Sequence, residues 1–390
     1  MDNFVFSNST KIIFGRGSED KVGCEAAQIS KKVLLHYGGG SIKTTGLYDK
    51  IIQSLRENGV EYIELPGVKP NPRLSLVYEG IRLCREHNIG LILAVGGGSP
   101  IDSAKAIAAG VKYDGDVWDF FTGKARVKDA LPVATILTIP AAGSEASTGC
   151  VITREEGMLK RAFNSVHVYP CFSILNPELA FTLPPFQVAC GVADIMAHLM
   201  ERYFTNSHPV ELTDRMIEGV LKTVIHNAPV ILAEPQNYDA WAEVMWAGTV
   251  AHNNLLNTGR VGDWASHDIE HELSAQYDIA HGAGLAMIFP AWMKYVHQHD
   301  IHRFVQFAVR VWNVEEDHFN PEKTALAGIA QLEAFWASLG LAVRLTQAGI
   351  SSGDFDLMAG KCTENDSHSV GNFVKLARQD VLNIYQLALE

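Results

Sequence analysis

The sequence lacks the features that mark several common functional classes. It has no basic run interleaved with aromatic residues, and its 32 basic and 44 acidic side chains give a net charge of −12. Such a charge balance argues against a general nucleic-acid or anionic-membrane surface. No apolar run reaches the ~18 residues of a membrane span, and no basic-then-apolar signal segment opens the chain. We therefore expect a cytoplasmic protein with no nucleic-acid or membrane partner.

Cysteine is scarce and scattered, with six residues and no Cys-x-x-Cys pair. This spacing favours reduced, buried thiols over a disulfide framework or a thiolate zinc site. The Gly-x-Gly-x-x-Gly fingerprint is also absent, so an ordinary Rossmann assignment would be wrong. What the chain does have is 390 residues, 47% of them hydrophobic and 19% charged. That length is enough for two domains with buried cores.

The first half of the chain alternates short β-branched runs with amphipathic stretches. This rhythm predicts a parallel sheet with helices on both faces. At Pro184-Pro185 the composition changes to Ala, Leu, Met and Trp at helical spacing. We therefore predict an α/β domain over residues 1–183 and an all-helical domain over residues 184–390. The predicted strands are 33–37, 62–65, 91–95, 132–139 and 172–175, and the predicted helices of the first half are 47–58, 74–87 and 103–108.

A glycine-rich loop follows the predicted strand 91–95. It reads Gly96-Gly97-Gly98-Ser99-Pro100, with Ser99 as the predicted helix N-cap, Pro100 at the first helical position and Asp102 at a capping-box-like spacing. Glycines let a ligand approach the backbone, and a helix start offers N–H groups to an anion. The loop therefore predicts a pyrophosphate site, with a simple tight turn as the alternative.

A second glycine cluster, Gly38–Ser41, follows the predicted strand 33–37. Loops after two parallel strands meet at the carboxyl edge of the sheet, where dinucleotides bind in α/β folds. The two loops could therefore hold the two halves of one dinucleotide.

The helical half concentrates side chains that bind metals. Asp194 and His198 lie four residues apart in an apolar stretch, on one helical face. A carboxylate in such surroundings is costly unless it is paired or binds a metal, and a buried Asp–His hydrogen bond is the alternative. His267, His271 and His281 bring the candidate ligands to five. Mixed nitrogen and oxygen ligation without thiolate suits Fe²⁺ or Zn²⁺.

The segment His267–His271 also matches His-x-x-Glu-His, an inverted zinc-peptidase pattern in which Glu270 would be the general base. That interpretation leaves both glycine loops and the Asp194–His198 pair without a role.

Taken together, these motifs resemble the iron-containing (group III) alcohol dehydrogenase family, within it the butanol dehydrogenase-like branch. The resemblance covers essentially the whole chain. The segments that carry it are Tyr37–Lys43, Pro70–Arg73, Gly96–Asp102, Ile139–Glu145, Asp194 with His198, and Asp263–His267 with His281 and Gly282.

The resemblance implies a dehydroquinate synthase-like fold, in which the α/β domain binds the dinucleotide and the helical domain binds the metal. Fe²⁺ is the favoured ion and Zn²⁺ the alternative. The implied metal ligands are Asp194, His198, His267 and His281. His271 would lie beside the metal without binding it, either supporting the ligands or acting as the catalytic proton relay. The implied cofactor contacts are Gly39, Gly40 and Ser41 at the adenosine ribose, Gly97, Gly98 and Ser99 at the pyrophosphate, Asp102 near the nicotinamide end, and Asn71, Thr138, Ser144, Ser147, Val151 and Lys160 elsewhere.

The implied activity is hydride transfer between NAD(P)(H) and a small primary alcohol or aldehyde, in the cleft between the two domains of a homodimer subunit. Many relatives have an acidic residue near Gly39, which would favour NAD(H). This chain has none there, and Lys43 lies close in sequence, so we expect NADP(H) to be preferred.

Three other interpretations remain open at this point. A zinc polyol (glycerol-type) dehydrogenase or a dehydroquinate synthase-like lyase would share the fold, and a non-catalytic nucleotide sensor would share the pocket. Turnover of NAD(P)H with an aldehyde separates the dehydrogenase from the last two.

Overall fold

The structure is a computed structural model that describes residues Met1–Glu390. Its strands are β1 (Lys11–Phe14), β2 (Lys32–Tyr37), β3 (Glu61–Leu65), β4 (Leu91–Gly96), β5 (Val133–Leu137), β6 (Gly149–Arg154), β7 (Leu159–Asn164) and β8 (Phe172–Leu175). Its helices are α1 (Val22–Ala27), α2 (Ser41–Thr44), α3 (Leu47–Glu57), α4 (Leu74–His87), α5 (Gly98–Val111), α6 (Trp118–Phe121), α7 (Pro185–Tyr203), α8 (Glu211–Ala233), α9 (Tyr238–His252), α10 (Ala265–Tyr277), α11 (His281–Val296), α12 (Ile301–Trp312), α13 (Pro321–Ser338), α14 (Phe355–Cys362) and α15 (Arg378–Leu389).

Six strands form one parallel sheet in the order β1-β8-β5-β4-β2-β3. Strands β4 and β5 are buried along their whole length, as expected for parallel strands covered on both faces. All five predicted strands lie in this sheet, so the predicted α/β fold with a helical second half is confirmed. The sequence patterns did not predict the short edge strand β1 or the antiparallel hairpin β6–β7.

The chain divides into two compact units. One comprises residues 7–183 and 236–253, and the other comprises residues 1–6, 184–235 and 254–390. Helix α9 therefore joins the α/β unit, although it follows the expected division at residue 183. Within that unit Thr249 Oγ1 donates a 2.6 Å hydrogen bond to the buried Glu145, and the ring of Trp246 packs edge-on against Phe14.

The start of α5 differs from the sequence prediction. The helix begins at Gly98 with Gly97 as its N-cap, so the predicted N-cap at Ser99 is wrong. The reason is the extended backbone of Gly97, which places the turn two residues earlier. Asp102 has no capping role, because its carboxylate accepts hydrogen bonds from Ser144 and from the backbone of Val151.

Helix α8 is long and apolar enough to pass a length-and-hydropathy criterion for a membrane span. It also carries the buried Asp214, which pairs with Arg260 at 2.8 Å and with Arg303 at 2.5 Å. Core helices of folded domains pass the same criterion, and buried charges of this kind need protein partners.

Helices α7 and α11 approach each other closely at a glycine. A Cβ atom on Gly282 would overlap the backbone carbonyl of Cys190 in α7. Because α7 carries Asp194 and α11 begins at His281, the missing side chain at position 282 sets how near these two residues come.

We predict that Gly282→Ala destabilises the protein by ~1–3 kcal/mol, the usual range for overpacking a close contact. Gly219 in α8 is the matched control, since a Cβ there meets nothing within 4 Å. Gly219→Ala should be neutral or stabilising, because alanine is the better helix former. Denaturant unfolding of both variants measures this, and equal effects from the two substitutions would contradict the role given to Gly282.

Candidate functional site

Three helices of the helical unit carry the metal-competent side chains. Helix α7 supplies Asp194 and His198, α10 supplies His267 and His271, and His281 is the first residue of α11. Asp194, His198 and His267 are each no more than 5% exposed. Because residues four apart lie on one helical face, each of the first two helices presents its pair in one direction.

Asp194, His267 and His281 converge. A carboxylate oxygen of Asp194 and one ring nitrogen from each histidine all lie within 4.8 Å of one another. Nε2 of His281 is 3.8 Å from Asp194 Oδ1. His198 lies beside this set, with its Nδ1 3.7 Å from the same oxygen and its ring stacked on His267 at 4.9 Å.

Two buried glutamates fix the orientation of two of these imidazoles. Glu201 Oε1 lies 2.8 Å from His267 Nδ1, and Glu270 Oε2 is hydrogen-bonded to His281 Nδ1. A carboxylate facing Nδ1 favours the tautomer in which Nδ1 carries the proton and Nε2 keeps its lone pair. Carboxylates commonly orient metal-binding histidines in this way.

Glu201 also holds the backbone at the start of α10. It accepts hydrogen bonds from the backbone N–H of Trp264 at 2.5 Å and of His267 at 3.1 Å. Burial raises the pKa of Glu201 to about 8, although these backbone donors act in the opposite direction. Trp264 has a φ of 72°, which is unusual for a residue with a side chain. The glutamate thus fixes both the imidazole of His267 and the strained turn before it.

Sequence reasoning missed Glu201, although a signal was present. Asp194, His198 and Glu201 follow the i, i+4, i+7 spacing of a single helical face. A second acid on the face of Asp194 and His198, in a mostly apolar helix, could have been assigned to the same site.

His271 lies at the edge of the cluster. Its ring centroid is 5.5 Å from that of His281 and 6.4 Å from that of His267. With Glu270 and His281 it forms a second group whose possible ligand atoms lie within 4.8 Å. Both oxygens of Glu270 already have partners, Ser274 and His281. The group containing Asp194 is therefore the better candidate for a metal site, and Glu270 is poorly placed as a peptidase base.

In the α/β unit, several of the residues matched to cofactor contacts are hydrogen-bonded to one another. Asp102 accepts a 2.5 Å hydrogen bond from Ser144 Oγ and a 3.0 Å hydrogen bond from Val151 N. The buried Lys160 donates to Asn71 Oδ1 at 3.0 Å. These contacts bring together α5, the hairpin β6–β7 and the segments after β3 and β5.

The glycine loops have two kinds of environment. A Cβ on Gly97 would lie 3.0 Å from Ile139, and one on Gly98 would lie 2.9 Å from Ala142. These glycines therefore allow the loop after β4 to pack on the loop after β5. Gly39 has no other heavy atom within 4 Å of its Cβ position, so space is open there. The other matched residues of this edge are Gly40 and Ser41 after β2, Ser99 in α5, Thr138 after β5 and Ser147 before β6.

An acid that the sequence analysis did not consider lies near the loop after β2. Glu64 accepts 2.5 Å hydrogen bonds from the hydroxyls of Tyr37 and Tyr48, and Lys43 Nζ lies 3.5 Å away. Burial alone would raise its pKa, but the two hydroxyls and the lysine lower the pKa of Glu64 overall. Its negative charge is thus partly offset by its neighbours.

The sequence matches two family profiles over nearly its whole length. Residues 9–177 match the family described as iron-containing alcohol dehydrogenase, and residues 188–389 match the C-terminal domain of the same family. The chain is 46% identical over 389 residues to the probable NADH-dependent butanol dehydrogenase 1 of Bacillus subtilis, covering all of both chains. It is 36% identical over 391 residues to the NADPH-dependent aldehyde reductase YqhD of Escherichia coli, again covering all of both chains.

A solved structure shows the same fold. The crystal structure of NADH-dependent butanol dehydrogenase A from Thermotoga maritima is 42% identical and superimposes with a TM-score of 0.96. The match covers 100% of this chain and 99% of the crystallised one.

We predict that Glu201→Gln weakens binding of a divalent metal by ~10–100-fold, as is typical when a carboxylate partner of a ligating histidine is removed. The control is Glu218→Gln in the same unit, because the buried Glu218 is hydrogen-bonded to Tyr203 and is not a partner of the histidine cluster. Competition with a fluorescent chelator measures both affinities. Unchanged metal affinity in the first variant would remove the role assigned to Glu201.

Proposed function

Because the chain belongs to the iron-containing alcohol dehydrogenase family, in its butanol dehydrogenase-like branch, it is an NAD(P)(H)-dependent alcohol dehydrogenase or aldehyde reductase, and we propose that one divalent metal ion serves this reaction. The proposed ligands are Asp194, His198, His267 and His281. The convergence of three of these side chains, with a buried glutamate behind each of two imidazoles, carries the proposal.

The donor set fits the ion. One carboxylate and three imidazoles without thiolate suit Fe²⁺, which we propose as the native metal, with Zn²⁺ as the alternative. When bound, the metal supplies Lewis-acid polarisation of the substrate oxygen, and the nicotinamide supplies or accepts the hydride. Asp194, His198, His267 and His281 would hold the ion, which would act on the substrate oxygen beside them.

The protein's own residues supply orientation and proton handling. Glu201 and Glu270 keep the Nδ1 protons of His267 and His281 in place, so that both Nε2 atoms are presented as ligands. His271, at the edge of the cluster, is proposed to move a proton between the substrate oxygen and solvent, or to orient the substrate.

The cofactor is proposed to lie along the carboxyl edge of the sheet. Gly97, Gly98 and Ser99 would hold the pyrophosphate at the start of α5, where the first backbone N–H groups of a helix have no intrahelical partner. The proposed contacts of the adenosine half are Gly39, Gly40 and Ser41, and the remaining proposed contacts are Asn71, Asp102, Thr138, Ser144, Ser147, Val151 and Lys160.

We further propose that NADP(H) is preferred over NAD(H). Gly39 places no carboxylate beside the adenosine ribose, and Lys43 is available nearby as a cation. Glu64 is the one acid close to Lys43 in the ion-pair network, and Tyr37 and Tyr48 already engage it. A homodimer in the cytoplasm is likewise a proposal, drawn from the family resemblance.

The interpretations as a polyol dehydrogenase, a lyase or a peptidase are not favoured. The relatives that are 36–46% identical over the full chain are named for butanol or aldehyde substrates, whereas a 1,3-propanediol dehydrogenase is only 26% identical. Steady-state kinetics with NADPH and NADH on a panel of short aldehydes, with metal analysis of the same sample, tests the proposed function. Full activity in protein shown to be metal-free would refute it.

We predict different outcomes for the two histidines of α10. His267→Ala should lose metal and activity together, because its imidazole belongs to the convergent set. His271→Ala should keep the metal and lose kcat by up to ~10²–10⁴-fold if the imidazole is the only proton relay. Metal content and kcat are measured on both variants. Loss of metal from His271→Ala, or an unchanged kcat, would overturn the assignment of His271.

We predict a higher kcat/KM with NADPH than with NADH for the unmodified enzyme. Gly39→Asp should weaken NADPH binding by ~1–4 kcal/mol, the Coulomb range for two unit charges about 4 Å apart. The open space at Gly39 accommodates the new side chain, and Gly39→Asn is the neutral control of the same size. Fluorescence titration with NADPH measures the affinities. Equal losses of NADPH affinity in Gly39→Asp and Gly39→Asn would show that the negative charge is not the cause.

A further inference from the structure

A lysine is buried in the α/β unit beneath the segment 144–151. Lys105, in α5, has no exposed surface. Its Nζ donates hydrogen bonds to the carbonyl oxygens of Ser147 and Gly149, both at 2.9 Å, and to Ser147 Oγ at 3.3 Å. The three N–H groups of the ammonium therefore have three acceptors, all within three residues of one segment.

Asp102 holds the same segment from the preceding turn of α5. It accepts hydrogen bonds from Ser144 Oγ and from Val151 N. Asp102 and Lys105 are three residues apart and so lie on one face of the helix. Asp102 and Lys105 together hold the segment 144–151 at its start, in its middle and at its end. Burial lowers the pKa of Lys105 overall, although the nearby charge of Asp102 acts in the opposite direction.

The order of the strands indicates which half of a dinucleotide this segment meets. Strand β4 lies between β2 and β5 in the sheet, and all three are parallel. The loops that follow them, Gly38–Ser41, Gly97–Ser99 and the segment from Thr138 to Val151, therefore follow one another along the carboxyl edge. If the pyrophosphate lies at the central loop and the adenosine at the β2 loop, the nicotinamide riboside falls on the β5 side.

We propose that Lys105 is a positioning residue for the nicotinamide half of the cofactor. It does not contact the cofactor itself, but holds residues 144–151 in the conformation that binds that half. This inference rests on the proposed function. A neutral side chain of similar length would leave the carbonyls of Ser147 and Gly149 buried without this donor, so the segment would shift to find other partners.

The test compares two ligands that share the adenosine and pyrophosphate and differ in the nicotinamide half. Calorimetric titration of Lys105→Met should show NADH affinity reduced by roughly 10- to 100-fold, the range for losing hydrogen bonds to a charged group. ADP affinity should stay within about 2-fold, since the hydrogen bonds of Lys105 go to Ser147 and Gly149 and not to the loops after β2 and β4. A purely structural role would affect both ligands or neither.

Ser54→Ala is the matched control. Ser54 is buried in the same unit, where its hydroxyl donates to Asp20 O and accepts from Gly23 N, remote from residues 144–151 in these contacts. This variant loses buried hydrogen bonds without touching the segment, so it should bind NADH and ADP as the unmodified protein does.

Equal affinities of Lys105→Met and the unmodified protein for NADH would overturn the inference, as would a parallel loss of NADH and ADP binding. If Lys105→Met does not fold, Lys105→Gln replaces it, because glutamine keeps an N–H donor on a shorter side chain. Lys105→Gln must then also bind NADH more weakly than the unmodified protein while its ADP affinity stays unchanged. Failure of the unmodified protein to bind NADH or NADPH would instead refute the proposed function.

Discussion

The buried hydrogen bonds from two imidazoles to two glutamates are the constraint on which the helical unit depends. Glu201 and Glu270 have no exposed surface, and an unpaired carboxylate in that position would cost several kcal/mol. Each is stabilised by a histidine Nδ1 and by a second partner, the backbone of Trp264 for Glu201 and the hydroxyl of Ser274 for Glu270. These bonds link α7 to α10 and α10 to α11. The same hydrogen bonds therefore hold the three helices together and orient the two imidazoles.

Helix α5 has the corresponding role in the α/β unit. Its first residues form the loop proposed for the pyrophosphate, and its next two turns hold the segment after β5 through Asp102 and Lys105. The glycines at its start serve packing as well as access, because side chains there would meet Ile139 and Ala142. One helix thus fixes two of the three loops along the sheet edge.

The features that the sequence predicted are those that depend on patterns of neighbouring residues. Buried β-branched runs gave the parallel strands, and four-residue spacings placed Asp194 with His198 and His267 with His271. The features that it did not predict arise from contacts between distant segments. Glu201 and His267 are 66 residues apart, and Lys105 lies 42 residues before Ser147.

Local sequence patterns also left undetermined where some helices begin and which neighbours some helices and side chains have. The N-cap of α5 depends on the backbone conformation of Gly97, which no composition rule specifies. Helix α9 has the composition of the helical half, yet Thr249 and Trp246 tie it to residues of the α/β unit. The four-residue spacing of Asp194 and His198 likewise does not specify that His198 lies beside the convergent set rather than within it.

The most direct test of the proposed metal site is X-ray diffraction from crystals of the iron-loaded protein, recorded at the iron absorption edge. We expect one anomalous peak, ~2.0–2.2 Å from a carboxylate oxygen of Asp194 and from a nitrogen of His198, His267 and His281. Glu201 and Glu270 should still accept from Nδ1 of their histidines in that crystal. A peak bound instead by Glu270 and His271, or active protein with no peak near Asp194, would contradict it.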